Sequence, residues 1–169
     1  MARSPAARTD VLAEGDAAPD FTLPDQNGNE VTLADLRGET IVLYFYPRAD
    51  TPGCTTQACG IRDRGDEYAA AGARVIGVSP DEPAALKRFA GKYDLGFTLL
   101  GDPDHAVADA YGAWGEKSMY GKKYMGMLRS TFIVDADGRI ARVFPKVQPK
   151  KHDDLILKAM EALPGRAST

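Results

Sequence analysis

The longest apolar runs mark the middle of the fold. Ile41 to Tyr46 is unbroken, β-branched and aromatic, and predicts a central strand buried on both faces. Arg74 to Ser79 (RVIGVS) predicts a second buried strand. Between them a polar helix is predicted from about Gly53 to Ala71, ended by Gly72. Asp81 to Tyr93 predicts another helix, because Leu86, Phe89, Ala90 and Tyr93 fall at i, i+3, i+4 and i+7. Lys151 to Leu163 predicts a closing helix with Leu155, Ala159, Met160 and Leu163 on one face. Shorter signals fill the gaps. Asp20 to Leu23 reads as a strand that turns through Asp25–Asn29 and returns along Val31 to Leu33. Thr98 to Leu100 reads as a strand, Ala106 to Tyr111 as a short helix, and Gly112 to Gly126 as a long loop holding Trp114. Ser130 to Val134 and Arg139 to Phe144 flank the tight turn Asp135–Gly138 and should pair antiparallel.

Strand, helix, strand, helix, hairpin and helix in that order fit a thioredoxin-like α/β fold, a central mixed sheet flanked by helices. The expected organisation is a flexible lead over 1–14, one domain over 15–163 and a tail over 164–169. The 169 residues suffice for one such core and not for two. Charge changes the picture only by exclusion. With Lys plus Arg at 21 against Asp plus Glu at 24, the net charge of -3 makes neither nucleic acid nor an anionic membrane an expected partner. No run approaches the length of a membrane-spanning helix. Met1 to Ala18 lacks the apolar region of a secretory signal, so the cytoplasm is the expected compartment.

Candidate chemistry is scarce. The two histidines, His105 and His152, sit in polar, turn-like surroundings and read as surface residues. Together with Cys54 and Cys59 they match no zinc spacing. Cys54 has the more informative context, YFYPRADTPGC: a buried strand ends at Pro47, and Cys54 falls in the first turn of the next helix. Unpaired backbone N–H groups and a partial positive charge at a helix start favour a thiolate. Pro47 and Pro52 stiffen the loop, and the Thr51 hydroxyl can stand beside the sulfur. The residues alone leave alternatives open. Cys54 and Cys59 could be small buried hydrophobes, and Thr51 a plain helix cap.

Pro47, Thr51 and Cys54 form a Pro-x-x-x-Thr-x-x-Cys signature, and in it the chain resembles the peroxiredoxins. Cys59, five positions on, makes it similar to their Q-type, or bacterioferritin-comigratory, subgroup. The likeness runs from Gly15 to Leu163. It includes FTLPDQNG from Phe21, GVSPDEPAALKRF from Gly77, WGEKSMYGKKYMG from Trp114 and LRSTFIVDADGRI from Leu128.

The resemblance implies a peroxidatic Cys54, a resolving Cys59 and an active-site Arg129, helped by Thr51 and the backbone N–H groups at Gly53 and Cys54. It implies reduction of hydroperoxides through a sulfenic acid and an intramolecular disulfide, recycled by thioredoxin or a similar dithiol, with no cofactor or metal and a monomeric chain. Gln57 stands where many relatives carry Glu, and Ala49 where an acid is common; neither is expected to alter the reaction type. A Cys-x-x-Cys oxidoreductase is the competing enzyme reading, but four residues separate the cysteines here. A non-catalytic module of the same fold is the other. The aromatic and Met-rich stretch Trp114, Met119, Tyr120, Tyr124, Met125 and Met127 reads as packing over the core rather than as a substrate groove. Lys122, Lys123, Lys146, Lys150 and Lys151 read as a solvated surface.

Five residues apart on a regular helix, Cys54 and Cys59 would have Cα atoms about 8.6 Å apart. A disulfide needs less than about 7 Å. The helix from Gly53 to about Ile61 is therefore expected to unwind on oxidation, aided by the weak helix formers Thr55, Thr56 and Gly60.

Overall fold

In the computed structural model, which describes residues 12–162, the two long apolar runs lie side by side at the centre of a five-stranded sheet. A hairpin of β1 (Thr22–Pro24) and β2 (Glu30–Thr32) leads through a 3-10 turn at Leu33–Leu36 into β3 (Thr40–Phe45). Helices α1 (Pro52–Asp63) and α2 (Gly65–Ala70) follow, then β4 (Ala73–Ser79), α3 (Pro83–Tyr93), β5 (Thr98–Gly101) and α4 (Ala106–Ala110). A hairpin of β6 (Trp114–Met119) and β7 (Lys122–Met127) precedes β8 (Ser130–Val134), β9 (Ile140–Phe144) and α5 (His152–Glu161). The sheet order is β5-β4-β3-β8-β9. β3, β4 and β5 run parallel, and β8 lies antiparallel to both β3 and β9. The mixed α/β architecture is the one the order of elements predicted.

Alternation along β3 explains the two cores. Val42, Tyr44 and Tyr46 face a layer that includes Ile61, Leu86, Phe89, Ile156 and Met160. Ile41, Leu43 and Phe45 face the opposite layer with Ala108, Tyr111 and Phe132. All six are at most 1% exposed. Removing the four aliphatic and Phe side chains from water contributes roughly 6–12 kcal/mol, so the strand is a firm platform for the loop that begins at Pro47.

Four expectations change. The helix expected from Gly53 to Ala71 is interrupted at Arg64 (φ -106°, ψ 20°), where Gly65 follows and offers little helix propensity. Gly112 to Gly126 is a hairpin rather than a loop, turned at Tyr120 and Gly121, both at positive φ. On α5 Leu155 is 42% exposed, and the buried face carries Ile156, Leu157, Ala159 and Met160. Leu12, within the expected flexible lead, is 2% exposed and packs in the second core. Residues 1–11, the predicted helix end at Leu163 and the tail 164–169 lie outside the described residues.

Candidate active site

Cys54 occupies the third position of α1, with Thr51 at its N-cap and Pro52 as the first helical residue. Proline at that position has no N–H to leave unpaired. The first backbone hydrogen bond of the helix runs from Thr55 N–H to the Thr51 carbonyl, 2.8 Å. The N–H groups of Gly53 and Cys54 precede it, so they are the orphan donors at this helix start.

Arg129, in the connection from β7 to β8, closes the site from above. Its Nη2 lies 3.5 Å from Cys54 Sγ, and its Nη1 donates to Gln57 Oε1 at 2.8 Å. One guanidinium thus holds two residues three apart on one helix face. Gly53 permits the approach, because a Cβ there would stand 3.2 Å from Arg129 Nη2. Beneath the sulfur lie the Tyr44 and Tyr46 rings, stacked with centroids 5.3 Å apart and packed in the same cluster as Cys54. Among the described residues the Tyr44 and Tyr46 hydroxyls and Gln57 Nε2 are buried without a hydrogen-bond partner. Such groups each cost about 1–3 kcal/mol. Burial, before any neighbouring charge, pushes both phenols well above the ordinary tyrosine pKa. They remain O–H donors at neutral pH.

The loop before α1 is held from the side. Asp50, at φ 62°, accepts from Lys92 Nζ at 2.9 Å and from the Tyr93 hydroxyl at 2.8 Å, and these bonds hold its carboxyl below the usual range. The Ala49 N–H donates to Asp81 at 2.7 Å. The Thr51 hydroxyl donates to the Arg48 carbonyl at 2.8 Å and caps no helix N–H. Its one proton is thereby used, and toward a third group it can only accept.

Pro47, Thr51 and Arg129 open onto a groove of about 600 Å³ whose far wall is the β6–β7 hairpin, through Trp114, Lys117 and Tyr124. The stretch expected only to pack over the core therefore also walls this groove. Trp114 is itself held by a parallel stack on His105, centroids 3.9 Å apart. Lys122, Lys123, Lys146, Lys150 and Lys151 are exposed, as expected.

Cys59 is not brought to Cys54. Both thiols are free, Cys54 buried and Cys59 half-buried, on an unbroken stretch of α1. Past Cys59 the helix is seated on α5. A Cβ on Gly60 would lie 2.5 Å from Asp153 Oδ2. Asp153 Oδ1 accepts from the Tyr68 hydroxyl at 2.5 Å and stands 3.3 Å from His152 Nδ1. His152 Nε2 pairs with Thr131 at 3.1 Å. The surface reading of His152 is thus wrong: its side chain is fully buried, enclosed by α5, β8 and the Tyr44 ring. A polar flank masked this, because the burial comes from tertiary packing. Gln57, Asp50 and Lys117 were also passed over as site residues. Only Gln57 carried a sequence signal, its i+3 spacing from Cys54.

The chain is similar to known proteins over most of its length. The AhpC/TSA family pattern matches residues 14–143. Peroxiredoxin Bcp of Escherichia coli K12 is 52% identical over 146 residues, 86% of this chain and 94% of its own. The structure of Xanthomonas campestris peroxiredoxin Q superposes with a TM-score of 0.82 at 36% identity, covering 91% of this chain and 98% of that one. A structure of the X. campestris bacterioferritin comigratory protein gives 0.82 at 34% identity, covering 89% and 98%.

Proposed function

The chain belongs to the AhpC/TSA family, among its Q-type (Bcp) peroxiredoxins, and is a peroxidase; from that premise we propose that Cys54 is its peroxide-reducing nucleophile and Cys59 its resolving thiol. The observation that carries this is the Arg129 guanidinium, set 3.5 Å from the Cys54 sulfur and locked by Gln57 at 2.8 Å. A permanent cation at that distance stabilises the thiolate and cannot itself be deprotonated. The orphan N–H groups of the helix start add donors on the other side.

The Cys54 thiolate attacks the terminal oxygen of a hydroperoxide in line with the O–O bond. The S–O bond forms as the O–O bond breaks, and the electron pair leaves on the distal oxygen, which departs as water or an alcohol. Sulfur is oxidised to a sulfenic acid and the peroxide is reduced. Thr51, able only to accept, orients the peroxide O–H. Arg129 and the Gly53 and Cys54 N–H groups meet the charge that moves onto oxygen. Cys59 then condenses with the sulfenic acid, releasing water and forming the disulfide, and an external dithiol of the thioredoxin type reduces it by exchange. The apolar part of the groove, Trp114 and Met127, suits an organic hydroperoxide as well as hydrogen peroxide. The X. campestris protein has an alkyl peroxide reduction activity, which supports the same substrate class here. The proposed resolving thiol lies on the same helix as Cys54, which supports a monomer as the working unit. No helix among the described residues is long and apolar enough to cross a membrane, in keeping with a cytoplasmic enzyme.

The test is peroxide consumption coupled to thioredoxin and its reductase. Wild type should turn over and Cys54→Ser should not, because an alcohol supplies no useful nucleophile at neutral pH. Unchanged turnover in Cys54→Ser would remove Cys54 from the reaction.

A further inference from the structure

The groove holds one group that this reaction has not used. Lys117, on β6, is half-buried and lines the same groove as Thr51 and Arg129. Its Nζ donates one proton to the Met127 carbonyl at 2.8 Å. An ammonium has three, and no second acceptor is assigned to it among the described residues. Gly126 keeps the stem in place, since a Cβ there would lie 3.1 Å from Lys117 Cδ.

The proposed reaction creates a need for such a group. Breaking the O–O bond of an alkyl hydroperoxide or of hydrogen peroxide leaves an alkoxide or hydroxide, whose conjugate acid is far weaker than an ammonium. It must gain a proton as it forms. Arg129 cannot give one. The Thr51 proton is donated to Arg48, and the Tyr44 and Tyr46 phenols are buried beneath the sulfur. The titratable and charged groups that face Lys117 are Cys54 from α1, Arg129 from the β7–β8 connection, Arg48 from the β3–α1 loop and Tyr124 from β7. Of the side chains lining the groove, only Lys117 and Tyr124 carry a transferable proton, and Tyr124 is 42% exposed.

We propose that Lys117 is a further catalytic residue, the general acid that protonates the departing oxygen. The assignment rests on Cys54 acting as the nucleophile. The step balances: thiolate, hydroperoxide and the Lys117 ammonium give sulfenic acid, alcohol and neutral amine, and solvent restores the amine's proton. Burial first, and then the like charge of Arg129, lower the Lys117 pKa from its ordinary value, while Cys54 opposes them. A lowered pKa makes a better proton donor at neutral pH.

The experiment uses the reduced full-length enzyme and rapid mixing with three oxidants: tert-butyl hydroperoxide, hydrogen peroxide and peracetic acid. Acetate, whose conjugate acid has a pKa of about 4 like other carboxyls, leaves without help. Lys117→Met should lose about 10²-fold in the second-order rate constant with the first two oxidants, and less than about twofold with peracetic acid. Lys117→Arg should resemble Lys117→Met, because arginine keeps the charge and withholds the proton. With tert-butyl hydroperoxide the wild-type rate should fall on the alkaline side, at a pH below the ordinary lysine value of 10.5; the fall should be missing in Lys117→Met. Equal losses with all three oxidants would make Lys117 a structural residue and overturn the proposal. Full activity in Lys117→Arg would reduce it to a fixed charge and also overturn it. So would a leaving-group-dependent loss in Tyr124→Phe with none in Lys117→Met. A wild-type protein that none of the three oxidises at Cys54 would instead overturn the nucleophile assignment.

Discussion

From Pro52 to Cys59, α1 packs Cys54 and Ala58 into the first core, and among the described residues its side-chain hydrogen bonds to other elements run through one guanidinium: Arg129 holds both Cys54 and Gln57. From Gly60 to Asp63 the same helix is seated by backbone and core. Gly60 lies against Asp153, Ile61 is 2% exposed, and Arg62 donates to the Tyr93 carbonyl at 2.7 Å. The next segment is tied on as well, with the Arg64 N–H on the Gly60 carbonyl at 3.1 Å and Tyr68 on Asp153. The first half also contains Gly53, Thr55 and Thr56, all weak helix formers. A helix anchored so unequally has a stable end and a releasable one, and the two cysteines lie within the releasable part. In the proposed cycle oxidation of Cys54 alters the sulfur contact with Arg129, and the first half is then the part expected to unwind toward Cys59 while the Gly60 seat stays. The seat narrows the expected unwinding, from Gly53 to about Ile61, to the turns before Gly60.

The largest effect that would break this contrast is at Cys59. Cys59→Ser should undergo one rapid oxidation and then stall, since the sulfenic acid has no partner on the chain; mass spectrometry should find one added oxygen on Cys54. Steady turnover in that variant with thioredoxin as the only thiol would show that Cys59 is dispensable. Next comes the guanidinium. Arg129→Lys keeps the charge and loses the fork that spans Sγ and Gln57, and should slow oxidation of Cys54 by about tenfold or more, at least ~1.4 kcal/mol of barrier. Arg129→Ala should be slower still. An unchanged rate constant in both would place Arg129 outside the reaction.

Two smaller effects sharpen the other side. Gly60→Ala would put a methyl 2.5 Å from the Asp153 carboxylate. Thermal or urea unfolding should show a loss of about 1–3 kcal/mol, the usual cost of overpacking. The same change at Gly53, where Arg129 is a flexible side chain at 3.2 Å, should cost less stability and more rate. The smallest effect is at Asp50. Lys92 first, then Tyr93, depress its carboxyl. Its stabilisation is therefore fully present above the ordinary value of 3.8 and is lost as pH falls through the lower folded value. The stability gap between wild type and Asp50→Asn should be constant near neutrality and close only in strong acid.

The sequence was most readable where burial leaves a local trace. Ile41–Tyr46 and Arg74–Ser79 are covered on both faces and so appear as continuous apolar runs. Cys54, Thr51 and Pro47 were singled out through a motif whose spacing suits a strand–loop–helix corner, and Arg129 only through the family resemblance of the stretch from Leu128 to Ile140. The β6–β7 hairpin left no such trace. Lys122 to Tyr124 are exposed, and the turn uses Tyr120 at positive φ where Asn or Asp is usual. Lys117 was hidden with it. His152 and Gln57 are polar residues buried by partners distant in sequence, Thr131 at 3.1 Å and Arg129 at 2.8 Å. Nothing near His152 in the chain carries that information, and for Gln57 the one trace is its i+3 spacing from Cys54. The break at Arg64 left one local trace, Gly65, and Arg64 is also held by Glu67 three residues on and by Asp154 of α5.

Amide hydrogen exchange in the two redox states measures directly whether α1 has one end that lets go and one that does not. With both thiols reduced, Thr55 to Cys59 should be protected. In the disulfide form those amides should exchange ~100-fold faster or more, while Arg64 and Tyr68, bonded to the Gly60 and Arg64 carbonyls, keep their protection. Equally slow exchange from Cys54 to Arg62 in both states, with the disulfide verified by mass, would contradict the account.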